Sequence, residues 1–132
     1  MALPNPVRRW LRYALDDLKV ARAIEDMGSS YWRGCAYHSQ QAIEKALKGY
    51  LAFHQVRFTK THDIATLLDA VAGVDPKLAK KLATTKRLTK FAIEYRYPDA
   101  ADKSMTRAKA RSALSLAESG YEMIASTLRR SH

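Results

Sequence analysis

Cys35-Ala36-Tyr37-His38-Ser39-Gln40-Gln41-Ala42-Ile43-Glu44-Lys45-Ala46-Leu47-Lys48 is the stretch on which the fold turns. Its Gln-Gln-Ala-x-Glu-Lys centre is ordinary helix composition, and it lies within a helix expected from about Tyr31 to His54. One side of that helix carries Ala36, Ile43, Leu47, Tyr50 and Leu51. The other carries His38, Gln41, Lys45 and Lys48, at spacings that form a polar stripe along one face.

Upstream, Asn5 reads as an N-cap with Pro6 in the first helical position. Val7, Trp10, Leu11, Ala14, Leu18, Ala21 and Ile24 then recur at helical spacing, and Gly28-Ser29-Ser30 predicts a left-handed cap. Downstream, the basic and polar connector Gln55 to His62 leads to a short helix from Asp63 to Val71, stopped by Gly73. Asp75-Pro76 repeats the cap and proline start and opens a helix through Leu78, Leu82, Phe91 and Tyr95. Arg96-Tyr97-Pro98-Asp99 interrupts the pattern, because proline disfavours helical dihedrals in the residue before it. Ser104 or Thr106 can cap a last helix with a seam of Ala110, Leu114, Ala117, Tyr121, Ile124 and Leu128. Strand signals are nearly absent. The expectation is an all-α antiparallel bundle of four long helices and one short one, with residues 1–132 forming a single domain.

The chain of 132 residues carries 23 Lys and Arg against 13 Asp and Glu, a formal charge of +10. Such an excess favours polyanionic partners such as RNA, nucleotides or an acidic protein; the plain alternative is a solubilising surface. No run approaches the length of a membrane span, and the N-terminus lacks the pattern of a signal peptide. The lone cysteine, Cys35, cannot form an intramolecular disulfide, so a cytoplasmic protein without a membrane association is expected.

The helix quoted first resembles the signature helix of HEPN domains. Three further pieces match in order: Ala-x-x-Asp-Leu at Ala14 to Leu18, Lys60-Thr61-His62-Asp63-Ile64, and Arg96-Tyr97-Pro98-Asp99. The resemblance spans about Ala14 to Tyr121 and implies an up-and-down four-helix bundle with one additional short helix, usually a homodimer. It also implies partnership with nucleotides or RNA. Many members of the family pair with a minimal nucleotidyltransferase as a toxin–antitoxin system. Others are metal-independent ribonucleases whose site is an Arg, four to six residues, then a His, near the start of the last long helix.

Arg96 stands where that arginine is expected, but the residues from Tyr97 to Lys103 include no histidine. The acid–base group of the nuclease motif is therefore missing from its usual place. Arg33 and His38, and likewise Arg57 and His62, have four residues between them. With twelve arginines and four histidines in the chain, about one such match is expected by chance. In a continuous helix Arg33 and His38 would point about 140° apart. Neither pair is read as catalytic.

Arg96 can bind a phosphate in a bidentate manner, or pair with Glu94 or Asp99 and hold the turn. His38, Gln41, Lys45 and Lys48 are either an electropositive strip facing a nucleotide or RNA, or a solvated or dimer-contact face. Lys60 can add a phosphate contact. His62 and Asp63 serve the start of the short helix. Tyr95 and Tyr97 can stack on a base or pack at a helix end. The four histidines show no metal-ligand spacing, so neither a metal nor another cofactor is expected, and Cys35 reads as a small core residue.

Three functions follow. The first is a HEPN-type homodimeric module that binds a nucleotide, RNA or a partner nucleotidyltransferase and lacks nuclease activity. The second is a metal-independent ribonuclease toxin using Arg96 with a non-standard acid–base partner. The third is an interaction protein whose basic face docks an acidic partner.

Overall fold

A computed structural model describes residues 2–96 and 105–131. The helices are α1 (Asn5–Glu25), α2 (Trp32–Phe53), α3 (Ile64–Ala72), α4 (Pro76–Lys81), α5 (Thr89–Arg96) and α6 (Arg107–Arg130). A 3₁₀ turn, Ser29–Tyr31, joins α1 to α2, and a 3₁₀ segment, Ala83–Leu88, joins α4 to α5. No strand occurs among the described residues, and no helix among them is long and apolar enough to cross a membrane.

Three helix starts follow from cap chemistry. Asp63 accepts a hydrogen bond from the Ala65 amide, Asp75 from that of Leu78, and Thr106 from that of Lys109. Each such cap contributes on the order of 1 kcal/mol. The start of α1 differs from expectation: Pro4 occupies the cap position, and the Asn5 side chain instead accepts from the Arg8 guanidinium. Gly28 does adopt a positive φ of 114°, but its ψ of 173° is extended, not left-handed helical. That conformation is open essentially to glycine alone.

The end of α2 carried no warning in the sequence. Gln55 sits at φ 57°, its amide donating to Ala52 and that of Val56 to Leu51. This pair of bonds is a Schellman ending with glutamine in the position where glycine is usual.

α2 is the central helix. Val7 and Trp10 of α1 lie beside Gly49, and Ile24 lies beside Gly34, so α1 and α2 run antiparallel. Cys35 faces Ala110 and Ile43 faces Gly120, so α6 runs parallel to α2 as the diagonal leg of the bundle. The remaining leg descends through α4, the 3₁₀ segment and α5, bringing Tyr95 to Tyr37. The topology is the expected up-and-down bundle, with α3 as the additional short helix. Its core contains Val7, Leu18, Ile43, Leu47, Leu51, Leu67, Leu88, Ile124 and Leu128, all almost wholly excluded from solvent.

One expected long helix is broken. The leg from Asp75 to Tyr95 is two short helices around a 3₁₀ segment. Its buried residues explain why: Leu82, Thr85, Leu88 and Phe91 recur every third position. Three residues advance an α-helix by about 300°, so that series would drift away from the core; in a 3₁₀ helix three residues complete one turn. The Thr85 hydroxyl also donates to the Leu82 carbonyl at 2.6 Å, fastening the tighter turn.

Candidate functional site

The polar stripe of α2 meets two buried carboxylates. Asp17 rises from α1 among the apolar positions Ala14, Leu18 and Ala21, and only 8% of its surface is exposed. His38 Nδ1 lies 2.8 Å from one of its oxygens and Lys45 Nζ 2.6 Å from the other. A carboxylate only accepts, so Nδ1 carries the proton. In the neutral ring Nε2 is then left as an acceptor, on a side chain that is 28% exposed.

Glu44 lies deeper, 2% exposed. It accepts from His62 Nδ1 at 2.6 Å, from Lys48 Nζ at 3.3 Å and from Gln41 Nε2 at 3.0 Å. Gln41 Nε2 also reaches the Gln40 side-chain oxygen, and Gln40 Nε2 donates to the His62 carbonyl. This set joins two stretches of the chain: the Gln-Gln-Ala-Ile-Glu-Lys run of α2 and the Thr-His-Asp run before α3. Lys48 also stands 5.7 Å from the Trp10 ring centre. Buried charges of this kind persist only when paired and hydrogen-bonded.

The structure thus brings His38, Gln41, Lys45 and Lys48 together on one face, as the periodicity requires, but two acids oppose them. The face is not a bare cationic strip. Lys60 is exposed in the connector, without an ion pair among the described residues. Arg96 closes α5; its side chain, and the whole of Tyr97, lie outside the described residues. The neighbouring Tyr95 stacks on Tyr37 at 4.3 Å, and the Tyr37 ring meets that of His38 edge-on at 5.3 Å. Aromatic contacts therefore link the end of α5 to the Asp17–His38 pair. Arg33 is already used: it donates to the Glu94 carbonyl at 2.6 Å, bracing the same helix end.

Asp17, Glu44 and Gln40 are the site residues that sequence reasoning missed. Their signal was present: Asp17 interrupts an apolar stripe, and Glu44 lies within the signature helix next to Ile43. An acid at a core register is the mark of a buried pair. Cys35 is fully buried, and burial pushes its thiol up to about 11, which removes it as a nucleophile at neutral pH. Among the described residues, no group of three or more His, Cys, Asp or Glu is placed to hold a metal ion.

A second acidic centre fastens α1 to α6. Glu25 accepts from Arg107 at 3.0 Å and from Arg111, while Arg107 also reaches Asp26 at 2.6 Å. The hydrogen bond from Arg107, with a further one from Arg111, lowers the Glu25 carboxyl from 4.5 to about 2. A carboxyl depressed on folding contributes stability above its unfolded value and loses it as pH falls toward the folded one. The difference in urea midpoint between the native chain and Glu25→Gln is therefore expected to be constant above pH 5 and to shrink between about pH 4.5 and 2. A difference that does not change across that window would show that the pair adds no pH-dependent stability.

Fold and site together define an all-α bundle with a buried, carboxylate-anchored polar face on its central helix. The chain belongs to the HEPN domain family, whose model matches residues 7–127. That membership places it, at the level of the family, among nucleotide- and RNA-related modules. It is also similar to a solved structure, that of TT1696 from Thermus thermophilus. The two are 31% identical, with 93% of this chain and 98% of that one covered and a TM-score of 0.75. No curated protein sequence matches this chain.

Proposed function

We propose that the chain acts as a single-domain, homodimeric HEPN module that binds a nucleotide, RNA or a partner nucleotidyltransferase and does not cleave RNA. One observation carries the reading. No histidine follows Arg96 before α6. Arg96 then serves as an anion-binding group. His38, Lys45 and Lys60 add contacts, with Gln41 and Lys48 holding the surface from behind.

Titration of the purified protein with ATP, GTP and short RNAs at low salt is expected to give saturable binding by at least one of them. Light scattering is expected to report a dimer at micromolar concentration. Incubation with RNA in EDTA is expected to leave the RNA intact. Binding by none of the ligands would remove the nucleotide and RNA part of the reading and leave the protein-partner part.

The Asp17–His38 geometry favours one alternative. A carboxylate that fixes an imidazole in a single tautomer makes Nε2 a competent general base, which suits a metal-independent ribonuclease with Arg96 binding the scissile phosphate. Cleavage in EDTA that both Arg96→Ala and His38→Ala abolish would replace the binding-only reading with this one.

A further inference from the structure

The charge surplus is unevenly spread. Between Lys77 and Lys90 there are six Lys and Arg and no Asp or Glu. Elsewhere, many cations are tied to acids: Arg22 to Glu118, Lys45 to Asp17, Lys48 to Glu44, Arg107 and Arg111 to Glu25, and Arg129 to Glu122. None of the six makes an ion pair among the described residues. Their positive potential is therefore not cancelled locally.

The 3₁₀ segment and the helix turns that flank it carry these cations. Lys81, Thr84, Arg87 and Lys90 each stand one position before the buried series Leu82, Thr85, Leu88 and Phe91, and all four are exposed. Lys80 and Lys86 fall on the adjoining stripe, also exposed. Across three residues a 3₁₀ helix rises about 6 Å, so Thr84 and Arg87 stand one turn apart on a straight line, with Lys81 at the end of α4 and Lys90 in the first turn of α5 on either side. The pitch is close to the separation of consecutive phosphates on one nucleic-acid strand.

Beside this row runs a shallow groove between the 3₁₀–α5 leg and α6. Phe91 and Leu116 form its floor, Arg87 and Lys90 one rim, and Lys109 and Ser112 the other. Lys90 also lies 5.3 Å from the Phe91 ring centre. A strand whose phosphates follow the row has an apolar groove beside it for a base, and Ser112 supplies a hydroxyl that donates or accepts.

We infer that the ridge Lys81–Thr84–Arg87–Lys90, with the groove beside it, docks the phosphate backbone of a single RNA strand without reading its sequence. This rests on the nucleic-acid part of the function proposed above and names a surface for it apart from the Arg96 end of the bundle. The row contacts phosphates, so affinity is strongly salt-dependent and tolerant of base identity.

Fluorescence anisotropy with a labelled single-stranded oligouridine and the full chain tests the assignment. The variant Lys81→Gln/Arg87→Gln/Lys90→Gln alters only exposed side chains and is expected to keep its thermal midpoint. It should weaken binding by about tenfold or more at low salt, and should flatten the slope of log affinity against log salt by about 2, since each lost single-strand contact removes about 0.7. The control Arg9→Gln/Arg12→Gln/Lys19→Gln removes the same charge from the exposed side of α1 and should cost much less. Equal losses in the two variants would mean that net charge alone is responsible and would overturn the ridge. Wild-type binding that the ridge variant leaves unchanged would overturn the ridge but keep the family-level reading. If the oligouridine fails to bind while ATP does, the RNA ridge is overturned and a nucleotide module remains. Polyglutamate that competes as well as RNA of equal charge would reassign the surface to an acidic protein.

Discussion

Glu44→Ala is expected to lower the free energy of unfolding by about 3 kcal/mol, the low end of the loss when one partner of a buried ion pair is removed. Glu44 is 2% exposed and holds three donors at once. Without it, Lys48, whose side chain is only 12% exposed, keeps a charge that water reaches poorly. Gln41 loses one of its two acceptors inside the bundle. His62 is the partner that escapes: its side chain is 53% exposed, so it rehydrates and spares the chain part of the cost. For the same reason His62→Ala should cost about 1.5 kcal/mol, the low end for a hydrogen bond to a charged group. The double variant should fall short of the sum of the two single losses, because both remove the same contact. Urea unfolding of the four proteins provides the measurement. A loss below about 0.5 kcal/mol for Glu44→Ala would show that water replaces the carboxylate without penalty.

That network marks the boundary of what the sequence could disclose. The apolar series of α1, α2 and α6 locate three helices because an amphipathic face repeats at the helical period. Asp63, Asp75 and Thr106 mark helix starts because their side chains bond backbone amides a few residues on. Both signals are local. The contact between Glu44 and His62 crosses 18 positions, and that between Asp17 and His38 crosses 21. No periodicity encodes such pairings; only the antiparallel docking of α1 on α2 and the path of the connector create them. The broken fourth leg is hidden for another reason. A period of three is present in Leu82, Thr85 and Leu88, but Leu78 and Leu82, and likewise Phe91 and Tyr95, stand four apart as on an α-helix. Thr85 decides between them only in three dimensions, where its hydroxyl bonds back to Leu82 and tightens the turn.

Gly120 is where that leg, α2 and α6 converge, and a β-branched residue there should be as damaging as loss of Glu44. A Cβ on Gly120 would stand 2.6 Å from the Ile43 Cδ1, 3.3 Å from the Thr85 Cγ2 and 3.6 Å from the Leu82 Cδ2. Ile43 is fully buried, and Thr85 and Leu82 are each 1% exposed. Alanine in place of glycine within a helix gains about 1 kcal/mol of propensity. Against this, overpacking a filled core costs about 1–3 kcal/mol. Gly120→Ala should therefore destabilise the bundle by about 1 kcal/mol, and Gly120→Val, with two further methyls and a stiff χ1, by about 3 kcal/mol. The atom responsible can be identified. Ile43→Val removes the obstructing methyl and by itself costs about 1 kcal/mol. Combined with Gly120→Ala it should cost less than the sum of the two, since the new Cβ takes the vacated space. Thermal melts of Gly120→Ala, Ile43→Val and the double variant would show this as a double-variant midpoint above the one that the two separate shifts add up to. Strictly additive losses would instead place the obstruction at Thr85, whose position is fixed by the 3₁₀ turn and cannot be relieved from α2.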